Sequence, residues 1–162
     1  MPRNLTLLHK VLSVLAPGNP RRVARHIQGD MFGTTMTRLL AAEPQLYVRD
    51  LDVSVDYYTR VLGFSVAFMY GDPPFYGQVH RDGARLNLRH LDVHPIDPTL
   101  RDAEQLLTAS IVLDDADQLF REYQRSGALI VQPLQDEAWG ATTFVVADPD
   151  GNRLLFASSS SA

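Results

Sequence analysis

The strongest constraint on this chain is that it repeats itself. Val48, Asp50, a helical run through Val55, and Gly63 recur 64 residues later as Val112, Asp114, Leu119 and Gly127. In the first copy Val53, Tyr57 and Val61 share one helical face, and each glycine stands where a helix would end. Apolar, strand-like sequence follows each helix, at 64–69 and 128–131. Each half then carries an Asp-Gly pair between strand-like runs, which signals a hairpin. Asp82-Gly83 separates 76–81 from 84–90, and Asp150-Gly151 separates 142–147 from 152–157. Each half therefore reads β-α-β-β-β. A unit this small cannot bury its own sheet face, so two of them must share a core. The expected fold class is α+β: two tandem β-α-β-β-β modules forming a curved, open mixed sheet around a concave cleft.

The modules are expected at about 44–90 and 106–158, within a domain spanning 41–160. A linker rich in Pro and Asp, Leu91 to Gln105, joins them. With 162 residues and 45% hydrophobic content there is material for one sizeable core. Residues 1–40 form a separate N-terminal basic helical arm. Asn4 can cap a helix in which Leu8, Val11, Leu12 and Leu15 fall at helical spacing, and 21–30 suit a second short one. The arm carries six basic side chains against Asp30 alone, whereas the rest of the chain has 9 basic and 18 acidic residues. Three readings of the arm stay open: an organelle targeting segment, an overcalled start ahead of Met31 or Met36, and a structural helix packed on the body or on a partner. An acidic body argues against nucleic acid and is compatible with a cationic small molecule. The chain has no cysteine and no apolar run of membrane-spanning length. A cytoplasmic location, with no membrane partner, is the natural expectation.

Two runs of sequence carry a resemblance. Val48-Arg49-Asp50-Leu51-Asp52, followed by Tyr57-Tyr58-Thr59-Arg60-Val61-Leu62-Gly63-Phe64, is similar to the first module of the glyoxalase/bleomycin-resistance/dioxygenase (vicinal oxygen chelate) superfamily. Trp139-Gly140, Phe144 and Asp148-Pro149-Asp150-Gly151-Asn152 resemble the second module, in the form common among bleomycin-resistance-like members. The resemblance spans Pro44 to Ser158. It implies a homodimer with a ligand groove. It does not choose among the superfamily's activities, which run from lyase, epimerase and dioxygenase chemistry to plain sequestration of a drug.

The resemblance also implies a metal test. Enzymes of the superfamily hold a divalent ion through His, Glu or Gln side chains on inward-facing strands. Carried over by motif distance, those places fall on Glu43, Asn87, Thr108 and Leu155. Leu155 has no donor atom, Thr108 is a poor ligand, and Asn87 offers a neutral amide oxygen. None of the five histidines occupies a matching place, His80 and His90 reading as strand or loop residues. No metal and no cofactor are therefore expected.

Strand alternation assigns the lining. Arg85, Asn87 and Arg89 fall on one face of the fourth strand, with Leu86 and Leu88 opposite. On the fifth, Thr108, Ser110 and Val112 oppose Leu107, Ala109 and Ile111. The expected ligand-binding set is Gln45, Tyr47, Phe75, Tyr76, Asn87, Arg89, Thr108, Ser110, Trp139 and Leu155, with no catalytic residue among them. Rings at a cleft mouth suit planar or cationic ligands. Three functions follow: non-catalytic binding or sequestration of an antibiotic-like molecule, a cationic one included; a superfamily enzyme with an unrecognised site, Glu43 as its base; and an interaction protein docking through the arm. Phosphate-binding loops, serine elbows and dinucleotide fingerprints are absent from the sequence.

Overall fold

A computed structural model describes residues 37–93 and 97–159. The helices expected in the arm, and His94, lie outside the described residues. The elements run β1 (Gln45–Val48), α1 (Leu51–Asp56, continued by a π turn Tyr57–Val61), β2 (Ser65–Gly71), β3 (Pro74–Arg81), β4 (Ala84–His90), α2 (Pro98–Glu104), β5 (Ala109–Val112), α3 (Ala116–Ser126), β6 (Leu129–Glu137), β7 (Ala141–Ala147) and β8 (Arg153–Ser159). Each half is the expected β-α-β-β-β unit. They build two mixed four-stranded sheets, ordered β1-β4-β3-β2 and β5-β8-β7-β6. In each, the first strand runs parallel to the fourth, and the other pairs are antiparallel.

The helices start and stop for local reasons. Asp50 caps α1 by accepting from the Val53 amide at 3.0 Å, and Asp115 caps α3 by accepting from Gln118 at 2.8 Å. Gly63 and Gly127 end them at φ +70° and +80°, where a side chain would be strained. These caps correct the repeat by one residue. The partner of Asp50 is Asp115, not Asp114, because the second strand-to-helix turn is one residue longer. Val112 is accordingly not the counterpart of Val48: it is 64% exposed, while Val48 is buried at 1%. The offset returns to 64 at the glycines because α1 absorbs one extra residue in its π turn, where the Leu62 amide reaches the Tyr57 carbonyl at 3.2 Å.

Two further expectations change. The linker contains α2, capped by Asp97 with Pro98 in its first turn. Asp82-Gly83 is the two-residue hairpin expected, with Arg81 paired to Ala84. Asp150-Gly151 instead belongs to a five-residue loop, since Ala147 pairs with Arg153. Asp148 organises that loop by accepting from the amides of Asp150 and Asn152 at 2.9 and 2.8 Å.

One buried cluster spans both modules. It joins Leu46, Val48, Tyr58, Leu62, Val79, Leu86 and Leu88 to Tyr123, Phe144, Val146, Leu154 and Phe156. The Phe144 and Phe156 rings stack at 5.0 Å. The core therefore lies under the helices, on the sheet sides that Leu86, Leu88, Ala109 and Ile111 were expected to face. Leu107 departs from that set. It precedes β5 and packs with Val145, Leu155 and Trp139 on the other side of the second sheet. Among the described residues, no helix is long and apolar enough to cross a membrane.

Candidate functional site

With the core under the helices, the opposite side of each sheet is the candidate ligand surface. Register turns that side of the first sheet into rows. Tyr47, Arg89, Tyr76 and Tyr70 are successive cross-strand partners over all four strands. The next row is Gln45, Asn87, Gln78 and Phe68. A third pairs Arg85 with His80. Five residues of the expected lining, Gln45, Tyr47, Tyr76, Asn87 and Arg89, thus come together on one face, with Phe75 at its edge.

The middle row is polar and closed on itself. The Gln78 amide donates to Asn87 Oδ1 at 2.9 Å and to Glu43 Oε2 at 2.9 Å. Arg85 reaches the other Glu43 oxygen at 3.4 Å. Glu43 is therefore occupied by an amide and a guanidinium. Gln78 and Asn87 are 9% and 8% exposed, so this network is fixed rather than wet. The row above is aromatic and open. Tyr70 is 65% exposed and Phe75 41%; Phe75 packs edge-on to Tyr70 at 5.6 Å and lies 6.0 Å beneath the Arg89 guanidinium.

The second sheet offers a different surface. Its rows are Ser110, Leu155, Val145 and Gln132, then Val112, Ala157, Thr143 and Gln135. Trp139 packs on Val145 and Leu155, giving an apolar floor beside a polar cluster. There Thr143 donates to Glu137 at 2.8 Å, and Gln135 donates to it at 2.7 Å. Ser110, Trp139 and Leu155 of the expected lining meet here. Thr108 sits just before β5, its hydroxyl accepting from the Arg153 amide at 3.2 Å. Among the described residues, no hydrogen bond, ion pair or ring contact joins the two open faces. The links between modules lie at loops and helices: Arg49 with Asp150 at 3.1 Å, Tyr57 with the Ala147 carbonyl at 2.9 Å, and Arg81 with Glu122 at 2.8 Å. A cleft of about 840 Å³ opens at the junction between Asp82–Leu86 and Ser110–Asp115.

The donors do not suit a divalent metal. Asn87 Oδ1 and Glu43 already accept hydrogen bonds, the Thr108 hydroxyl serves a backbone amide, and Leu155 has nothing to give. His90 pairs with Asp92 at 3.2 Å beyond the end of the face, and His80 lies in the row of Arg85. Among the described residues, no three His, Cys, Asp or Glu side chains converge.

Sequence reasoning missed Gln78 and Phe68 on the first face, and Gln132, Thr143, Val145 and Glu137 on the second, whereas Tyr70 was expected at the rim with Phe75 and Tyr76. Alternation along β3 and β7 would have found Gln78, Thr143 and Val145. Phe68 was hidden by an irregularity between Val66 and Phe68, which shifts the facing of β2 midway.

Comparison with known proteins agrees with the architecture. The family model for the glyoxalase/bleomycin resistance protein/dioxygenase superfamily matches residues 38–156. Among solved structures, the bleomycin-binding protein of bleomycin-producing Streptomyces verticillus, in complex with copper(II)-bleomycin, is 24% identical. It aligns over 78% of this chain and 100% of its own, with a TM-score of 0.59. TioX from Micromonospora sp. ML1 is also 24% identical, over 76% of this chain and 98% of its own, with a TM-score of 0.57. A superfamily protein from Alicyclobacillus acidocaldarius is 22% identical, over 73% and 89%, with a TM-score of 0.61. No curated protein matches.

Proposed function

The chain belongs to the glyoxalase/bleomycin resistance protein/dioxygenase superfamily, and on that premise we propose that it binds a small molecule on its open sheet faces without transforming it. The observation that carries this reading is the state of the places where metal-using relatives keep their ligands. Glu43 is held by Gln78 and Arg85, Asn87 by Gln78, and Leu155 is an apolar wall under Trp139. A carboxylate already engaged by a guanidinium and an amide is a poor general base, which counts against Glu43 in that role. What remains is a surface of rings, amides and an apolar floor, the composition of a ligand pocket.

Sequestration of an antibiotic-like molecule is the specific form we propose, by analogy with the bleomycin-binding protein of the same fold. Expression in a sensitive host should then raise tolerance to the compound bound. We propose further that the protein is a cytoplasmic homodimer. The edge strand β2 supports pairing, since Val66, Phe68, Met69 and Tyr70 are all at least 36% exposed, more apolar surface than a lone edge usually shows.

Two measurements test the proposal together. A thermal-shift screen of aromatic natural products and metabolites should give stabilising ligands whose effect is unchanged by chelator. Elemental analysis of the purified protein should show no stoichiometric divalent metal. One metal per chain, with ligand stabilisation abolished by chelation, would overturn the reading.

A further inference from the structure

The acidity of the body does not extend to the open face of the first sheet. The charges in its rows are Arg85, paired with Glu43, and Arg89. Arg49, Arg60, Arg81, Arg101, Arg121 and Arg153 each have a carboxylate partner, whereas Arg89 has none among the described residues. Asp72, in the adjoining turn, makes no ion pair with it. Arg89 instead lies over Phe75, at 6.0 Å from the ring centroid. That ring contact leaves the guanidinium N–H groups without a hydrogen-bond partner among the described residues. Tyr47 and Tyr76 flank Arg89 as its cross-strand partners on either side. Phe68 lies 6.0 Å from Tyr76 with the planes tilted by 32°, and both Phe68 and Tyr70 are exposed.

Resting on the reading of this face as a ligand site, we propose that it selects a planar aromatic ligand bearing a carboxylate. The ring system lies against Tyr76, Phe68 and Phe75, and the carboxylate takes the free edge of Arg89. The match is geometric as well as electrostatic. A guanidinium offers parallel N–H donors at the spacing of two carboxylate oxygens. An ammonium ligand would meet Arg89 as a like charge. The preferred ligand is thus anionic at this subsite, against the cationic ligand that net charge alone suggests.

The test uses three probes of one shape, 2-naphthoate, 2-naphthylmethanol and 2-naphthylmethylammonium, titrated calorimetrically into the full-length protein at fixed ionic strength. Naphthoate should bind about tenfold or more tighter than the alcohol, with the ammonium weakest. Arg89→Gln should remove that preference, bringing naphthoate down to the affinity of the alcohol in the same variant, and Arg89→Lys, which keeps the charge but loses the fork, should restore only part of it. The proposal is overturned if the ammonium binds as well as naphthoate, or if the preference survives Arg89→Gln. Failure of the underlying site is a different result. If the alcohol binds and Tyr76→Ala weakens it, the face is a ligand site whatever the charge preference. If no probe binds and Tyr76→Ala leaves every ligand from the screen unaffected, the site itself is refuted.

Discussion

The hydroxyl of Tyr58, on the helix of the first module, donates to the carboxylate of Asp148 in the second at 3.1 Å. Both side chains are buried, at 0% and 2% exposure. The same Asp148 oxygen also accepts from the Asn152 side-chain amide at 2.8 Å, and that amide donates in turn to the Tyr47 carbonyl at 2.9 Å. This chain of contacts ties the β7–β8 loop to the helix and first strand of the other module, so the two sheets hold one orientation.

Removing the phenol should loosen that tie. Tyr58→Phe keeps the ring packed on Phe64 but leaves a buried carboxylate short of one donor. The expected loss is about 1–3 kcal/mol, the range for a hydrogen bond to a carboxylate. Urea unfolding followed by circular dichroism measures it, and an unchanged midpoint would show that the contact adds nothing.

The same carboxylate sets a pH dependence. Burial holds Asp148 above its ordinary value of 3.8, outweighing the donors from Asn152 and Tyr58 that pull it down. A carboxyl raised in the folded state binds its proton more tightly there than in the unfolded chain. Its contribution is therefore full below 3.8 and is lost as pH rises through the raised folded value. The stability of the wild type relative to Asp148→Asn should accordingly fall as pH climbs through that window. Urea midpoints for the two proteins across the acid range read this directly. A difference that grows with pH would reverse the sign and contradict the account.

Gly127 isolates a backbone effect. It stands at φ +80°, and a methyl group built there would meet nothing within 4 Å. Gly127→Ala should cost about 1 kcal/mol, from the left-handed conformation alone. Gly63, at φ +70°, adds a steric problem, because a methyl group there would lie 2.9 Å from the Arg81 guanidinium and disturb its pair with Glu122. Gly63→Ala should therefore cost more. Equal losses in thermal unfolding would remove the steric part of this explanation.

Both glycines were legible in the sequence, as were the helices they end, the β-α-β-β-β succession of elements in each half and five residues of the first open face. Period and turn chemistry are local, and they survive in a single chain. What was not legible depended on one-residue accidents. The π turn of α1 and the longer turn before Asp115 offset each other, so a repeat of 64 fits the glycines that end the helices while misplacing Val112 and Asp114 at their start. The irregularity in β2 hid Phe68 in the same way. The local charge of this face was hidden for another reason: net charge sums the whole surface, whereas the face itself carries Arg89.

The central claim is that the open faces bind a small molecule, and Trp139 is the most direct reporter of it. It is the chain's only tryptophan and packs on Leu155 and Val145 at the floor of the second face. A stabilising ligand from the thermal-shift screen, titrated while Trp139 emission is followed, should change that emission saturably. Trp139→Ala should weaken the ligand by about 1–3 kcal/mol in calorimetry, the worth of a buried ring contact with its apolar area. A tight ligand that leaves the emission unchanged, and binds Trp139→Ala and Tyr76→Ala as well as the wild type, would place the site elsewhere and make both faces scaffold.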